Sequence, residues 1–309
     1  SKFAPNSPNA EQAISSLLDS AKRSLSPGGV IVIAIENRLG LKYVLGAGED
    51  HYGRPYEGVH NYPNFSGIKT YSKREWEILL AEHGFCHEFL YPFPDYKLPQ
   101  QILADRFVAG QPSAWSQLPD AVSTDYHNFM ANTPEAPIWA SFQQTGVLGD
   151  FSNSFLIVAA QQESSLCSVV DQDFVHVSGL SRKLEFRTIT RKARSNNIVS
   201  KLPLVKKSPN TSNLPVLHIM GESPFCPGVP LSCSWAQRLR ISPSRESFID
   251  LAREYYTYLT NLIAGGHTLE KIVDLTPTNI LVQDDNTFTF IDQEWETTFP
   301  ISTEFILFR

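Results

Sequence analysis

The sequence predicts a mixed α/β protein in two parts, an α/β segment with an open sheet and a following α+β segment. Three observations favour this class. Hydrophobic residues make up 42% of the 309-residue chain and charged residues 19%, a balance typical of folded globular domains. Helix and strand patterns alternate in the first third of the chain. Near the end, an amphipathic helix pattern precedes a short hairpin pattern.

Charge and cysteine content narrow the possible partners and compartment. The net charge of −6 argues against a nucleic-acid partner, because phosphate binding needs a basic face. The four cysteines form no C-x-x-C pair, which indicates reduced thiols and a cytoplasmic location. The longest apolar runs, such as residues 30–35, fall short of the roughly 20 residues that span a bilayer, so we expect no transmembrane segment.

The first elements follow from hydrophobic spacing and helix-breaking residues. One apolar stripe predicts an amphipathic helix from Ala10 to Ser26, ended by the Pro-Gly-Gly of residues 27–29. The continuous run VIVIAI, residues 30–35, predicts a strand buried on both faces. Ser72 and Glu75 form a capping-box pattern that predicts a second helix, and residues 85–91 predict another strand.

Two stretches of this segment carry a family resemblance. LLDSAKRSLSPGGVIVIAIENRLGLKY resembles the second half of class I S-adenosylmethionine-dependent methyltransferases. The continuation ENRLGLKYVLGAGEDHYGRPYEGV, together with YPFPDYKLP, resembles bacterial methyltransferases linked to surface-polysaccharide synthesis. The resemblance implies that residues 1–109 are the C-terminal half of a Rossmann-like methyltransferase sheet. No G-x-G-x-x-G occurs, so we expect the main S-adenosylmethionine motif upstream of residue 1 and poor donor binding by this piece alone.

A polar loop supplies the candidate site residues of this half. Glu36, Asn37 and Arg38 follow the first strand at its carboxyl end, the edge that carries ligands in open α/β sheets. We expect substrate binding by Asn37, Arg38, Asp50 and Arg54, and a general base for a sugar hydroxyl in His51 or Glu49. The alternative is that Asp50 and Arg54 form an ion pair that only orders the loop. YPFPDYKLP is interpreted as a packing element around the sheet edge.

The rest of the chain is divided by composition. Residues 110–149 are rich in Pro, Ser, Gln and Asn and are interpreted as a linker. Residues 150–309 are assigned to a second domain that begins with a strand at Ser154–Ala160. A hairpin is predicted from residues 184–192 and 198–204, and an amphipathic helix from Ser244 to Ile263.

The second domain carries its own resemblance. DLTPTNILV, residues 274–282, matches the catalytic loop of protein-kinase-like and aminoglycoside-phosphotransferase-like enzymes, and FIDQEW, residues 290–295, resembles their metal-binding segment. The resemblance implies that Asp274 is the catalytic base, that Asn279 and Asp292 are magnesium ligands, and that Lys201 pairs the phosphates of ATP. Phosphoryl transfer needs such groups to orient the attacking hydroxyl and to hold the metal.

Simpler interpretations and departures from the family pattern remain. A plain hairpin, with Asp284-Asp285-Asn286 as its turn, would explain residues 286–295, and a helix cap would explain Asp274, but neither explains their joint spacing. Ile272-Val273 replaces the usual His-Arg, no glycine-rich lid is evident, and the kinase-like domain is expected to be incomplete at its C-terminus. An active kinase and a pseudokinase both stay open.

The expected function combines the two parts. A methyltransferase is fused to a kinase-like phosphotransferase that acts on a cell-surface polysaccharide or its precursor, with S-adenosylmethionine, ATP and magnesium as cofactors. The alternative is a non-catalytic second module that docks the methyltransferase on a glycosyltransferase or a glycan. The fragment alone is expected to have little activity.

Overall fold

The computed structural model describes residues 10–63, 67–111, 113, 134–179, 181–206 and 215–308. The chain forms two compact units. Unit 1 comprises Ser1–Val177 and Arg191–Asn196, and unit 2 comprises Ser178–Thr190 and Asn197–Arg309. The described residues have mixed α/β structure, and their largest sheet is antiparallel. Residues 112 and 114–133 of the predicted linker lie outside the described residues.

The described helices of unit 1 are α1 (Ala10–Ser24), α2 (Leu41–Val44), α3 (Lys73–Glu82), α4 (Asp105–Gly110), α5 (Glu135–Gln144) and α6 (Glu163–Val169). Of these, the sequence predicts α1 and α3. Leu18 on the apolar stripe of α1 is buried. In α3 both reciprocal bonds of the capping box form between Ser72 and Glu75. The sequence therefore fixes the start of α3 locally.

The sheet of unit 1 differs from the predicted open parallel sheet. Its strands are β1 (Val30–Glu36), β2 (Cys86–Phe93), β3 (Gln101–Ala104), β4 (Ser154–Ala160) and β5 (Gln172–Val177), in the order β1-β4-β2-β3-β5. The pairings of β1 with β4, β2 with β4, β2 with β3 and β3 with β5 are all antiparallel. β4 lies between β1 and β2, with Ala160 opposite both Val30 and Cys86. A Rossmann-like sheet is therefore not shown; β1 and β2 run in the same direction but do not pair.

Two further expectations for this unit need correction. β1 is not buried on both faces, because Val32 is 56% exposed; its β-branched run reflects strand propensity as well as burial. Residues 134–149 are not a linker, because Trp139 of α5 is buried and packs edge-on against Phe93 with ring centroids 5.2 Å apart. The strand Ser154–Ala160, expected at the start of the second domain, belongs to unit 1.

Unit 2 is built from short strands and two packed helices. The strands are β6 (Thr188–Ala193, divided between the units), β7 (Ile198–Pro203), β8 (Val216–His218), β9 (Glu222–Pro224), β10 (Val229–Pro230), β11 (Ile280–Val282), β12 (Phe288–Phe290) and β13 (Trp295–Thr297). β7 pairs with β9, β8 with β13, and β11 with both β10 and β12. Both strands of the predicted hairpin form, as β6 and β7.

The helices of unit 2 provide its core. They are α7 (Leu231–Ile241), α8 (Arg245–Ala264) and α9 (Thr303–Leu307). α8 confirms the predicted helix, with Ser244 as its N-cap. Tyr255 and Leu259 of α8 pack in one buried cluster with Leu275, Ile280 and Phe290. Because the residues on both sides of the loop 274–279 are buried in this cluster, the position of the loop is fixed. No helix of the described residues is both long and apolar enough to cross a membrane.

Candidate functional site

The loop before β11 places Asp274 in a buried position. A short 3-10 turn, Leu269–Ile272, leads into it, and the flanking Ile272 and Leu275 are fully buried. These apolar anchors hold Asp274, whose residue exposure is only 8%. No helix begins at Asp274: its carbonyl oxygen accepts a turn bond from the Thr276 N–H at 2.8 Å, and the next element is β11, which starts at Ile280. The helix-cap interpretation of Asp274 is therefore wrong.

Asn279 ties this loop to the segment after β12. Its Nδ2 donates to the main-chain oxygen of Asp274 at 2.9 Å and to Asp274 Oδ2 at 3.1 Å. The N–H of Ile291 donates to the Asn279 main-chain oxygen at 2.8 Å. Asp292 follows directly, with φ of +58°, in the left-handed region that few non-glycine residues adopt. The three residues predicted from two separate motifs thus share one site.

Lys201 of β7 reaches the same site. Its Nζ contacts Asp292 Oδ1 and lies 2.9 Å from Glu294 Oε2. Only 13% of its side chain is exposed. Burial lowers the pKa of the Lys201 ammonium, although the charge of Glu294 opposes that effect. The lysine assigned from sequence therefore lies beside the carboxylates in unit 2.

Glu294 is the central residue that the sequence analysis did not single out. It lies two positions after Asp292, and its side chain is 1% exposed. Arg182 Nη2 lies 2.5 Å from its Oε1, and His218 Nε2 lies 3.3 Å from its Oε2. Burial alone would raise the pKa of this carboxyl, but hydrogen bonds and charge from Arg182 and Lys201 lower it to about 2. The sequence feature that could have identified Glu294 is its position two residues after Asp292 in FIDQEW.

An aromatic wall lies beside Glu294. The rings of His218 and Trp295 stack with centroids 4.3 Å apart and an interplanar angle of 13°. Phe186 meets both rings edge-on. These planar groups fix the orientation of His218 and restrict water on one side of the carboxylate.

The oxygen donors suit a hard divalent cation. One carboxylate oxygen each from Asp274, Asp292 and Glu294 lies within 4.8 Å of the other two. Carboxylate oxygens are the ligands that magnesium prefers. The predicted metal pair was Asn279 and Asp292; in the structure the Asn279 Nδ2 is used on Asp274, so only its Oδ1 could face a metal ion. The set that could hold a metal therefore includes Glu294.

The predicted substrate-binding residues of unit 1 mostly hold its own loops. The Nδ2 of Asn37, which is fully buried, donates to the main-chain oxygens of Asp150 and Ser152 at 2.7 and 2.8 Å. Arg38 Nε lies 2.7 Å from Glu75 Oε2. These bonds use the polar groups expected to contact a ligand.

The predicted bases Glu49 and His51 differ in burial, and their neighbours Asp50 and Arg54 do not pair with each other. Glu49 is buried, and its Oε2 accepts from the N–H groups of His51 and Tyr52 at 2.8 and 2.9 Å. The His51 and Arg54 side chains are exposed. The alternative Asp50–Arg54 ion pair is wrong, because Asp50 pairs instead with two lysines. Glu49 therefore acts on the loop backbone in this structure.

A second charged cluster lies at the carboxyl end of β1. Lys42 is fully buried, and its Nζ lies 3.5 Å from both Asp50 Oδ1 and Asp95 Oδ2. Lys97 Nζ lies 3.2 Å from Asp50 Oδ2. Glu36 is buried beside them and accepts from the Tyr96 hydroxyl at 2.8 Å. YPFPDYKLP, expected only to pack, thus supplies Asp95, Tyr96 and Lys97 to this cluster.

Protonation differs within this cluster. Burial raises the pKa of the Glu36 carboxyl, and the hydrogen bond and charge of Asp50 add to that rise. Burial would also raise the pKa of Asp50, but Lys42, Glu36 and Lys97 together lower it. Glu36 therefore holds a proton to a higher pH than Asp50 does.

Comparison with known proteins found no match for this chain among family models, curated proteins or solved structures. A functional assignment therefore depends on the geometry of these two clusters and on the sequence motifs. The unit 2 cluster brings together residues from five separate segments of the chain.

Proposed function

We propose that unit 2 transfers the terminal phosphoryl group of a nucleoside triphosphate to a hydroxyl group, with the nucleoside diphosphate as the leaving group and with the help of a divalent metal ion. The observation that carries this proposal is the convergence of Lys201, Asn279 and Asp292 around Asp274. Phosphoryl transfer depends mainly on positioning and on stabilising negative charge, and these are the groups it uses.

Each side chain has a role that its surroundings support. Asp274 orients the attacking hydroxyl and accepts its proton; Asn279 fixes the Asp274 carboxylate through the 3.1 Å bond to Oδ2. Asp292 and Glu294 provide oxygens for magnesium, which neutralises charge on the phosphates. Lys201 binds the phosphate chain once metal occupies its carboxylate partners.

A non-catalytic docking module is the competing function. The observation in its favour is that Lys201 pairs with both Asp292 and Glu294, so each of these two carboxylates has a cation partner within the protein. Ile272 and Val273, both buried, also stand where a kinase has His-Arg. Such a module would bind a glycosyltransferase or a glycan and would not respond to nucleotide.

Thermal unfolding with and without magnesium-ATP separates the two functions. A ligand that binds only the folded state stabilises it by about 2.7 kcal/mol at 100 times its Kd, so the melting temperature of unit 2 should rise. Asp292→Asn should abolish this rise, because it removes the negative charge that would attract the metal ion and replaces one carboxylate oxygen with an NH2 group. Asp284→Asn, at an exposed position of the same hairpin, is the matched control and should keep the rise. A wild-type chain without any shift would favour the docking module.

For unit 1 we keep the methyltransferase assignment, with a cell-surface polysaccharide or its precursor as the acceptor of both activities. One observation favours it: β1 and β2 run in the same direction on either side of β4, with α3 connecting them, and charged side chains collect at the carboxyl end of β1.

The test for unit 1 is hydrogen exchange with S-adenosylhomocysteine at millimolar concentration, since the glycine-rich turn is not in this sequence. Peptides that cover residues 30–58 should exchange more slowly when it binds, and α8 peptides should not change. Unaltered exchange in residues 30–58 would argue against a methyl-donor site in this unit.

A further inference from the structure

One carboxylate in unit 2 holds two cations, one on each oxygen. Arg182 Nη2 lies 2.5 Å from Glu294 Oε1, and Lys201 Nζ lies 2.9 Å from Glu294 Oε2. Arg182 lies in the loop between β5 and the 3-10 turn Leu184–Phe186. The sequence motifs assign no role to it. Arg182 therefore lies beside the same carboxylate as Lys201, on its other oxygen.

The arginine side chain is oriented but only partly covered. Its guanidinium carbon lies 5.8 Å from the centroid of the Trp295 ring, a cation–π contact that fixes the side chain. The side chain is 33% exposed. Within the described residues, Glu294 is its one carboxylate partner. The guanidinium has five N–H donors, so it can contact a second anion from the solvent side.

The charge balance of the site changes when a metal ion binds. Three carboxylates, those of Asp274, Asp292 and Glu294, and two cations, Arg182 and Lys201, meet here, so these five groups together carry one excess negative charge. A divalent ion would reverse this excess and compete with both cations for Glu294. The displaced cations then need another anion, and a polyphosphate that enters with the metal provides it.

We propose that Arg182 is a phosphate-binding residue, which exchanges Glu294 for oxygens of the triphosphate when the metal–nucleotide complex binds. This inference rests on the proposed phosphotransfer function. It adds a second cation to the site, in a planar group that binds phosphate through two parallel N–H donors. It also gives Glu294 a role before the nucleotide binds, because its carboxylate holds the Arg182 guanidinium in position.

Calorimetric titration of the full chain with ATP and with AMP, both with magnesium, tests the inference. Arg182→Gln should weaken ATP binding about tenfold or more, the effect expected for a lost charge-assisted hydrogen bond. AMP affinity should stay nearly unchanged, so the ratio of the two affinities falls. Arg182→Lys keeps the charge and should restore part of the ratio. Arg253→Gln, with a 75% exposed side chain on α8, is the control and should leave the ratio unchanged.

The alternative outcomes are distinct. An equal loss of ATP and AMP affinity, with a lower melting temperature, would mean that Arg182 only holds Glu294, and would overturn the inference. Unchanged ATP affinity in Arg182→Gln would do the same while leaving the phosphotransfer proposal intact. Absence of magnesium-dependent ATP binding in the folded wild-type chain would overturn both. Should Arg182→Gln fail to fold, the ATP-to-AMP ratio of Arg182→Lys decides, because a phosphate contact predicts a lower ratio than in wild type.

Discussion

The two charged clusters bury their ions in different ways. In unit 1, Lys42 is fully enclosed between Asp50 and Asp95, and the only well-exposed member is Lys97, at 46%. In unit 2, Glu294 is buried, but Asp292, its neighbour in the site, is 33% exposed. The first cluster is closed around its lysine, whereas the second opens to solvent at a carboxylate.

The clusters also relieve excess negative charge differently. In unit 1 the pKa of Glu36 is raised, first by burial, so a proton can neutralise the extra carboxylate. In unit 2 the pKa of Glu294 is lowered to about 2 in spite of its burial, so this carboxylate stays ionised. A site that remains anionic and partly open can accept an external cation, whereas a closed one mainly holds its own loop together. This contrast adds support to the proposal of phosphotransfer in unit 2, which depends on the convergence of side chains around Asp274.

The largest expected effect comes from removing the buried lysine of unit 1. Lys42→Met leaves Asp50 and Asp95 without their shared cation, and breaking a buried ion pair in this way costs about 3–5 kcal/mol. The measurement is urea unfolding followed through the indole N–H resonance of Trp76, which lies in the core of unit 1.

Lys97→Met is the matched control for this change. It removes a cation from the same Asp50 carboxylate, but from a half-exposed position, so it should cost no more than about 1 kcal/mol. Equal costs for the two variants would mean that the unit 1 cluster is solvated, and the contrast with unit 2 would fail.

The unit 2 site was predictable because its chemistry fixes a sequence spacing. Asp274 and Asn279 lie on one short loop, and Asp292 follows a two-strand hairpin, so local structure alone brings them together. Lys201 needed the family resemblance as well. Arg182 and His218 could not be predicted, since each reaches Glu294 across a long sequence separation without a local motif.

The unit 1 loop shows where sequence reasoning fails. A dense group of polar residues predicted a binding site, but a loop must also satisfy its own buried backbone, and Asn37 and Glu49 do so. The sheet was mispredicted for a related reason. β4, residues 154–160, pairs between β1 and β2, and such pairing between distant segments leaves no pattern in the local sequence. Helix α3 was predictable because its capping box is local.

The pH dependence of stability should have opposite signs in the two units. The pKa of Glu294 is about 2 in the folded state against an ordinary 4.5, so its contribution is fully present above pH 4.5 and is lost as the pH falls towards 2. That shift corresponds to about 3 kcal/mol, at 1.36 kcal/mol per pH unit. The raised pKa of Glu36 acts the other way: its contribution is present at low pH and is lost as the pH rises.

Urea unfolding at several pH values can be followed through Trp235 for unit 2 and through Trp76 for unit 1. It measures, in one sample, how the free energy of unfolding of each unit depends on pH. Glu294→Gln should remove the loss of stability that unit 2 shows between pH 4.5 and 2, because no ionisable group remains at that position. Glu254→Gln, which breaks only the exposed pair with Arg238, should retain it. Glu36→Gln should stabilise unit 1 at neutral pH, since it removes a carboxylate whose ionisation is opposed by burial. If Glu294→Gln kept the wild-type slope, the carboxylate would not be held ionised by Arg182 and Lys201, and unit 2 would have no more claim to a cation site than unit 1.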